Sequence, residues 1–166
     1  MLITDAMNKK LNEQIANELN ASYHYLSMAC RFDHMGLRIF AARFEQQSDE
    51  ERGHALRILK YIQDVGGEVS LAALARPRDD YNSVLSIVQA ALDSEMNVTR
   101  QINDLVALAD QQNDYATRSF LQWFVDEQVE EVRSMTDLLQ LVKMAGESSA
   151  LLVEARLMKM MAAKKD

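Results

Sequence analysis

Cysteine is nearly absent: Cys30 is the only one among 166 residues. A lone thiol cannot close an internal disulfide, and it cannot supply an iron–sulfur cluster or a Cys₄ iron site within one chain. Proline is as scarce, with Pro77 alone, and there are only five glycines. So few helix breakers predict an all-helical fold. No apolar run is long enough to span a bilayer, and Met1-Leu2-Ile3-Thr4-Asp5-Ala6-Met7 lacks the apolar core of a signal peptide. Positive charge is in deficit: 18 Lys and Arg against 25 Asp and Glu leave a net charge of −7. Lys164-Lys165 form only a short basic tail, with no patch to neutralise phosphates, which argues against a nucleic-acid partner. These absences predict a soluble cytoplasmic protein without membrane contact. Residues 1–166 are expected to form a single domain.

What the chain does have is apolar periodicity at steps of three and four. It predicts helices over about 5–34, 37–65, 82–110, 113–145 and 149–161. Thr4-Asp5 suits an N-cap and acidic first turn, Gly36 and Gly66-Gly67 suit helix ends, and Gly146 ends the fourth helix. Residues 67 to about 81 lack a helical start, and a loop this long needs a reason. A helix of about 28 residues is roughly 42 Å long, and about 14 extended residues reach roughly 46–50 Å. The segment can therefore cross the whole bundle and let the third helix start at the same end as the second. The last helix carries Leu151, Leu152, Ala155, Met158 and Met161 on one face. That face fits either contact between subunits or folding back on its own bundle.

Each long helix has acid or amide on its apolar stripe. The first reads Leu11, Ile15, Glu18, Ser22, Tyr25, Ala29, and the second Phe40, Phe44, Gln47, Glu51, His54, Ile58. The third reads Leu85, Val88, Leu92, Glu95, Thr99, Ile102, and the fourth Leu121, Phe124, Gln128, Glu131, Met135, Leu138. One such residue is usually a side chain reaching back to water. Four at similar depth are different, because burying unpaired carboxylates costs several kcal/mol each. His54 is the only basic or imidazole group on a stripe, so a pair of metal ions is the economical counter-charge.

Carboxylates with one imidazole suit Fe²⁺, Mn²⁺ or Zn²⁺, iron being usual where oxygen chemistry is done. Glu18 and His54 would serve one ion, Glu95 and Gln128 the other, with Glu51 bridging. Gln128 is a weak ligand, so the second ion is held more loosely, or the amide orients water or dioxygen. Tyr25 is either a core tyrosine whose hydroxyl needs a partner or an electron donor. Glu50, Glu127, Glu130 and Glu131 form a further acidic group, which reads as a solvated face or an additional cation site. His24 and His34 are expected at the surface, and Trp123 in packing.

The pieces Asn12-Glu13-Gln14 leading to Glu18, then Tyr25, Glu50-Glu51-Arg52-Gly53-His54, Glu95, Phe120-Leu121-Gln122-Trp123, Glu127-Gln128 and Glu130-Glu131 resemble a bacterial-type non-haem ferritin over the whole chain. The resemblance implies a ferritin-like four-helix bundle with a long crossover and a short fifth helix lining the four-fold axes of a hollow 24-mer. It implies oxidation of Fe²⁺ by O₂ or H₂O₂ and storage of ferric oxyhydroxide. Glu18, Glu51, His54, Glu95 and Gln128 would be the ferroxidase ligands, with Glu131, Glu50, Glu127 and Glu130 at a neighbouring third-iron region. The chain departs from bacterioferritin in having Gln128-x-x-Glu131 for a second Glu-x-x-His, and Arg52 where a haem-ligating methionine would stand, so no haem is expected. The rival readings are a di-iron oxidase or peroxidase that stores nothing and a metal-free structural assembly.

Overall fold

The side chain of Thr4 starts the first helix. Its hydroxyl accepts from the N–H of Met7 at 3.1 Å and caps α1 (Asp5–His34). In the computed structural model, residues 2–163 are described; the tail at Lys164-Lys165 lies outside them. Gly36, at φ +79°, makes the tight turn into α2 (Arg38–Asp64) that folds the two helices into a hairpin. Helix α2 has no cap of its own, since Leu37 offers no side-chain acceptor. At its far end the N–H of Gly67 returns to the carbonyl of Ile62 at 2.8 Å. A Cβ on Gly67 would stand 2.4 Å from Asn8 Oδ1 and 2.9 Å from Ile62 Cγ2, so any other residue here would have to displace both side chains.

The connection from 65 to 83 is tied along α1 by side chains of that helix. Asn8 and Asn12 donate to the carbonyl of Glu68 at 3.1 and 2.9 Å, and Asn12 accepts from the N–H of Ser70 at 2.7 Å. Asn20 then accepts from the N–H of Ala75 at 3.0 Å, Ser27 donates to the carbonyl of Arg78 at 2.8 Å, and Arg31 donates to that of Tyr81 at 2.9 Å. From Asn8 to Arg31 a helix rises about 35 Å. The connection thus crosses the bundle lengthwise, and α3 (Val84–Gln112) runs parallel to α2. Ser83 and Ser86 cap each other at its start, which sets the first helical residue at Val84.

Asn113, in the left-handed region at φ 53°, ends α3, and Asp114 caps α4 (Tyr115–Ala145) by accepting from the N–H of Thr117 at 3.0 Å. A short 3₁₀ turn (Glu147–Ser149) leads to α5 (Ala150–Ala163). No strand occurs among the described residues, and no helix there is long and apolar enough to cross a membrane.

Two apolar clusters fill the bundle. One holds Phe32, Phe40, Phe44, Ile87, Met135 and Leu157; the other holds Met7, Leu11, Ile58, Ile62, Ile102 and Phe124. Along every long helix the polar interruption falls between them: Glu18, Gln47 to His54, Glu95, and Gln128 to Glu131. The α3 stripe sits one residue away from the expected one at its flanks. Ile87, Ala91 and Val98 are buried while Leu85 and Leu92 are only half-buried, so the buried face is centred on Val88, Ala91 and Glu95.

Helix α5 folds back on its own bundle, and it does so through a different face from Leu151, Leu152 and Met158. Val153 and Leu157 enter the first cluster. Beside them Glu154 accepts from the N–H groups of Ile39 and Phe40 at 2.6 and 3.1 Å, and so supplies the missing cap of α2. Leu151 and Leu152 stay 70% and 72% exposed.

Candidate metal centre

Glu18 is fully buried on α1, with Oε1 accepting from Gln14 Nε2 at 2.8 Å and Oε2 without any partner. An empty buried carboxylate oxygen costs about 1–3 kcal/mol or more. His54 Nδ1 lies 3.9 Å from that oxygen and 3.2 Å from Glu51 Oε2. Glu18, Glu51 and His54 form a first group whose ligand atoms all lie within 4.8 Å of one another. Glu51, Glu95 and Glu131 form a second, and His54, Glu127 and Glu131 a third. Glu51, His54 and Glu131 are each shared between two groups.

Burial pushes Glu18 well above the usual carboxylate range, and the charge of Glu51 adds to it. Burial and Glu51 likewise lift Glu95 to about 8 and Glu131 to about 7. Burial alone would lower His54, but its hydrogen bond to Glu51 and the charges of Glu51, Glu18 and Glu131 raise it to about 9. The site therefore carries protons that a cation would displace. Hard oxygen donors with one imidazole suit Fe²⁺, and the unpartnered Oε2 of Glu18 is an acceptor such an ion would satisfy.

The remaining expected residues fall into place unequally. Gln128 is buried beside Glu95 but points its amide nitrogen at it: Nε2 donates to the Glu95 carbonyl at 3.2 Å, to Glu95 Oε2 at 3.4 Å and to Thr99 Oγ1 at 3.2 Å. Among the acidic and imidazole side chains, Glu131 completes the second group, with Gln128 beside it against Glu95. Tyr25 is buried and donates its hydroxyl proton to Glu95 Oε1. Burial and Glu95 hold the phenol well above its ordinary pKa. Glu127 reaches His54 Nε2 at 4.0 Å. Glu50 is half-buried, accepts from Gln46 at 2.9 Å, and acts on Glu131 only through its charge. Glu130 is exposed. His34 is exposed and His24 half-buried, both away from the groups.

The sequence matches the ferritin-like domain family over residues 8–145. The chain belongs to the ferritin family. It is 37% identical over 151 residues to the bacterial non-heme ferritin of Staphylococcus aureus strain USA300, covering 90% of this chain and 91% of that one. The non-heme ferritin of Staphylococcus saprophyticus is also 37% identical, over 84% of this chain and 83% of its own. The solved open-pore ferritin of the archaeon Archaeoglobus fulgidus superposes with a TM-score of 0.92 at 37% identity, covering 94% of this chain and 96% of that one.

Three side chains take parts at this site that the sequence did not assign to them. Gln47 donates from Nε2 to Glu51 Oε1 at 3.0 Å and to Glu131 Oε2 at 2.7 Å. Its position on the α2 stripe was the available signal. Arg43 is buried at 7% exposure, and its charge lowers Glu131, so His54 is not the only cationic group in the centre. Its spacing, three residues after Phe40 and four before Gln47, was the available signal. Trp123 does more than fill space: it meets the His54 ring edge-on at 5.4 Å and is covered by the Arg57 guanidinium at 4.0 Å.

Proposed function

We propose that this chain oxidises Fe²⁺ at the buried centre of each subunit and stores the ferric product as oxyhydroxide in a hollow homo-24-mer. The observation that carries the reading is the overlap of three ligand groups through Glu51, His54 and Glu131 in the middle of the bundle. Glu18, Glu51 and His54 would take one Fe²⁺ and Glu51, Glu95 and Glu131 its neighbour. Gln128 holds Glu95 in place from behind. Two ions side by side deliver the two electrons that, with two protons, reduce O₂ to H₂O₂, or H₂O₂ to two waters. Glu18, Glu95, Glu131 and His54 release protons as the ions enter.

Glu127 would lead ions onward, with Glu50 and Glu130 contributing charge along the way to the third-iron region. The apolar residues Leu151, Leu152 and Met158, left outside on α5, are the surface that packs around the four-fold axes. Arg52 is exposed and has no soft donor for a haem iron, so the reading includes no haem. The work belongs in the cytoplasm, where a single Cys30 stays reduced.

A non-storage di-iron oxidase or peroxidase is the second reading. What favours it is an apolar groove of about 570 Å³ between α3 and α4, lined by Met96, Ile102, Val125, Val129 and Val132 and reaching Gln128. Aerobic loading with Fe²⁺ separates the two. A storage protein retains many more ions per subunit than the site can hold, in a particle whose scattering fits 24 subunits. Retention of about two ions, or a stable monomer or dodecamer, would overturn the storage reading.

A further inference from the structure

Helix α2 carries one buried side chain that touches two of the proposed ligands at once. Gln47 is 0% exposed, and its single amide nitrogen reaches Glu51 one turn along the same helix and Glu131 across the bundle on α4. An amide nitrogen has two hydrogens, and both are engaged by carboxylates. The amide oxygen, by contrast, is buried with no partner. Buried polar atoms are nearly always satisfied, so an amide oriented for its own sake would not leave its oxygen empty. The two carboxylates set its orientation: turned over, it would present oxygen to oxygen. Those two carboxylates are also the ones shared between ligand groups.

We propose that Gln47 is a positioning residue of the centre, an amide clamp that fixes the separation of Glu51 and Glu131 before Fe²⁺ arrives. The inference rests on the di-metal reading above. Outer partners that orient ligands are typically worth about 10–100-fold in metal affinity. The clamp joins ligands on two helices, so its loss should act on the second ion, between Glu51, Glu95 and Glu131.

The test titrates Co²⁺ into the full, metal-stripped assembly and follows its visible absorption bands, with no oxidation involved. Wild type should take up two Co²⁺ per subunit. Gln47→Met keeps the bulk and removes both donors, and it should bind one of the two ions about tenfold or more weakly, with altered band intensities. In a Glu131→Gln background the same change should cost at most about twofold, because the clamp has already lost its charged partner. Gln47→Leu, which also deletes both donors, serves if the Met variant does not fold. Unchanged Co²⁺ affinity in either variant, or an equal loss in both backgrounds, overturns the clamp and leaves the metal centre standing. Wild type that takes up no Co²⁺ at these residues overturns both.

Discussion

The hydroxyl of Tyr25, on α1, donates to Oε1 of Glu95, on α3, so one buried hydrogen bond joins the two helices at the level of the proposed metal centre. Tyr25→Phe removes that donor and leaves the Glu95 carboxyl short of a partner in the core. The metal-free protein should lose about 1–3 kcal/mol, seen as a lower melting temperature. Glu95 should titrate above its present value of about 8, because the hydroxyl now lowers it. If Tyr25 also supplies an electron, a phenoxyl signal after aerobic Fe²⁺ addition should vanish in the variant. An unchanged melt would mean the bond carries no stability.

The acids of the centre set the pH dependence of the metal-free fold. Glu18, Glu95 and Glu131 all lie above the ordinary carboxylate value of 4.5, and His54 lies above 6.5. Groups that bind protons more tightly when folded stabilise fully below their unfolded pKa, and that contribution is lost as pH rises through the folded one. Melting temperature should therefore fall from about pH 5 to pH 9, across the values of about 7, 8 and 9 for Glu131, Glu95 and His54. Zn²⁺ needs the deprotonated forms, so it should stabilise more at pH 8 than at pH 5. A metal-free melting temperature that climbs over this window contradicts the assignment.

Glu51→Gln tests the shared ligand. Fast oxidation of Fe²⁺ should collapse in a stopped-flow trace, because both ions lose a common carboxylate. The metal-free variant should melt at or above wild type near pH 8, since the Glu51 charge raises Glu18, Glu95 and Glu131 together. The loss of His54's partner works the other way and limits the gain. A variant that melts far lower yet oxidises iron normally would make Glu51 structural.

Glu130 and Glu131 are neighbours in sequence with opposite surroundings, one exposed and one buried in two ligand groups. Glu130→Ala should leave the first rapid oxidation of two ions per subunit intact and alter only later turnover. Glu131→Ala should slow that first phase at least about tenfold. Equal effects would shift the ligand register on α4 by one residue.

The bundle, its crossover and the ring of inward acids were legible because helical period alone puts Glu18, Glu51, Glu95 and Glu131 among Leu, Ile and Phe neighbours. The interactions that hold the acids were not. Gln47 was visible on its stripe, but its reach to Glu131 depends on the spacing of two helices that share no sequence proximity. Arg43 falls in step between Phe40 and Gln47, but a long arginine at such a position ordinarily reaches back to water, and its burial depends on the neighbouring helices. On α5, Leu151 and Leu152 are the larger apolar pair, yet Val153 and Leu157 went inward, because Glu154 between them finds the uncapped start of α2. The asparagines of α1 read as an ordinary polar face until the connection is laid against them.

Between Val69 and Tyr81, which pack on the two apolar clusters, that connection is a tether more than a brace. Five of its six ties to α1 are exposed to solvent, and Leu71 and Leu74 on it are 65% and 42% exposed. The core is built from the α1–α2 and α3–α4 hairpins, each closed by a short local turn. Cutting between Leu71 and Leu74 should therefore leave a whole bundle of two fragments, and peptides 1–72 and 73–166 made apart should recombine. The same looseness lets the α3–α4 hairpin of one copy seat on the α1–α2 hairpin of another, so crowded refolding should yield exchanged pairs of otherwise native bundles.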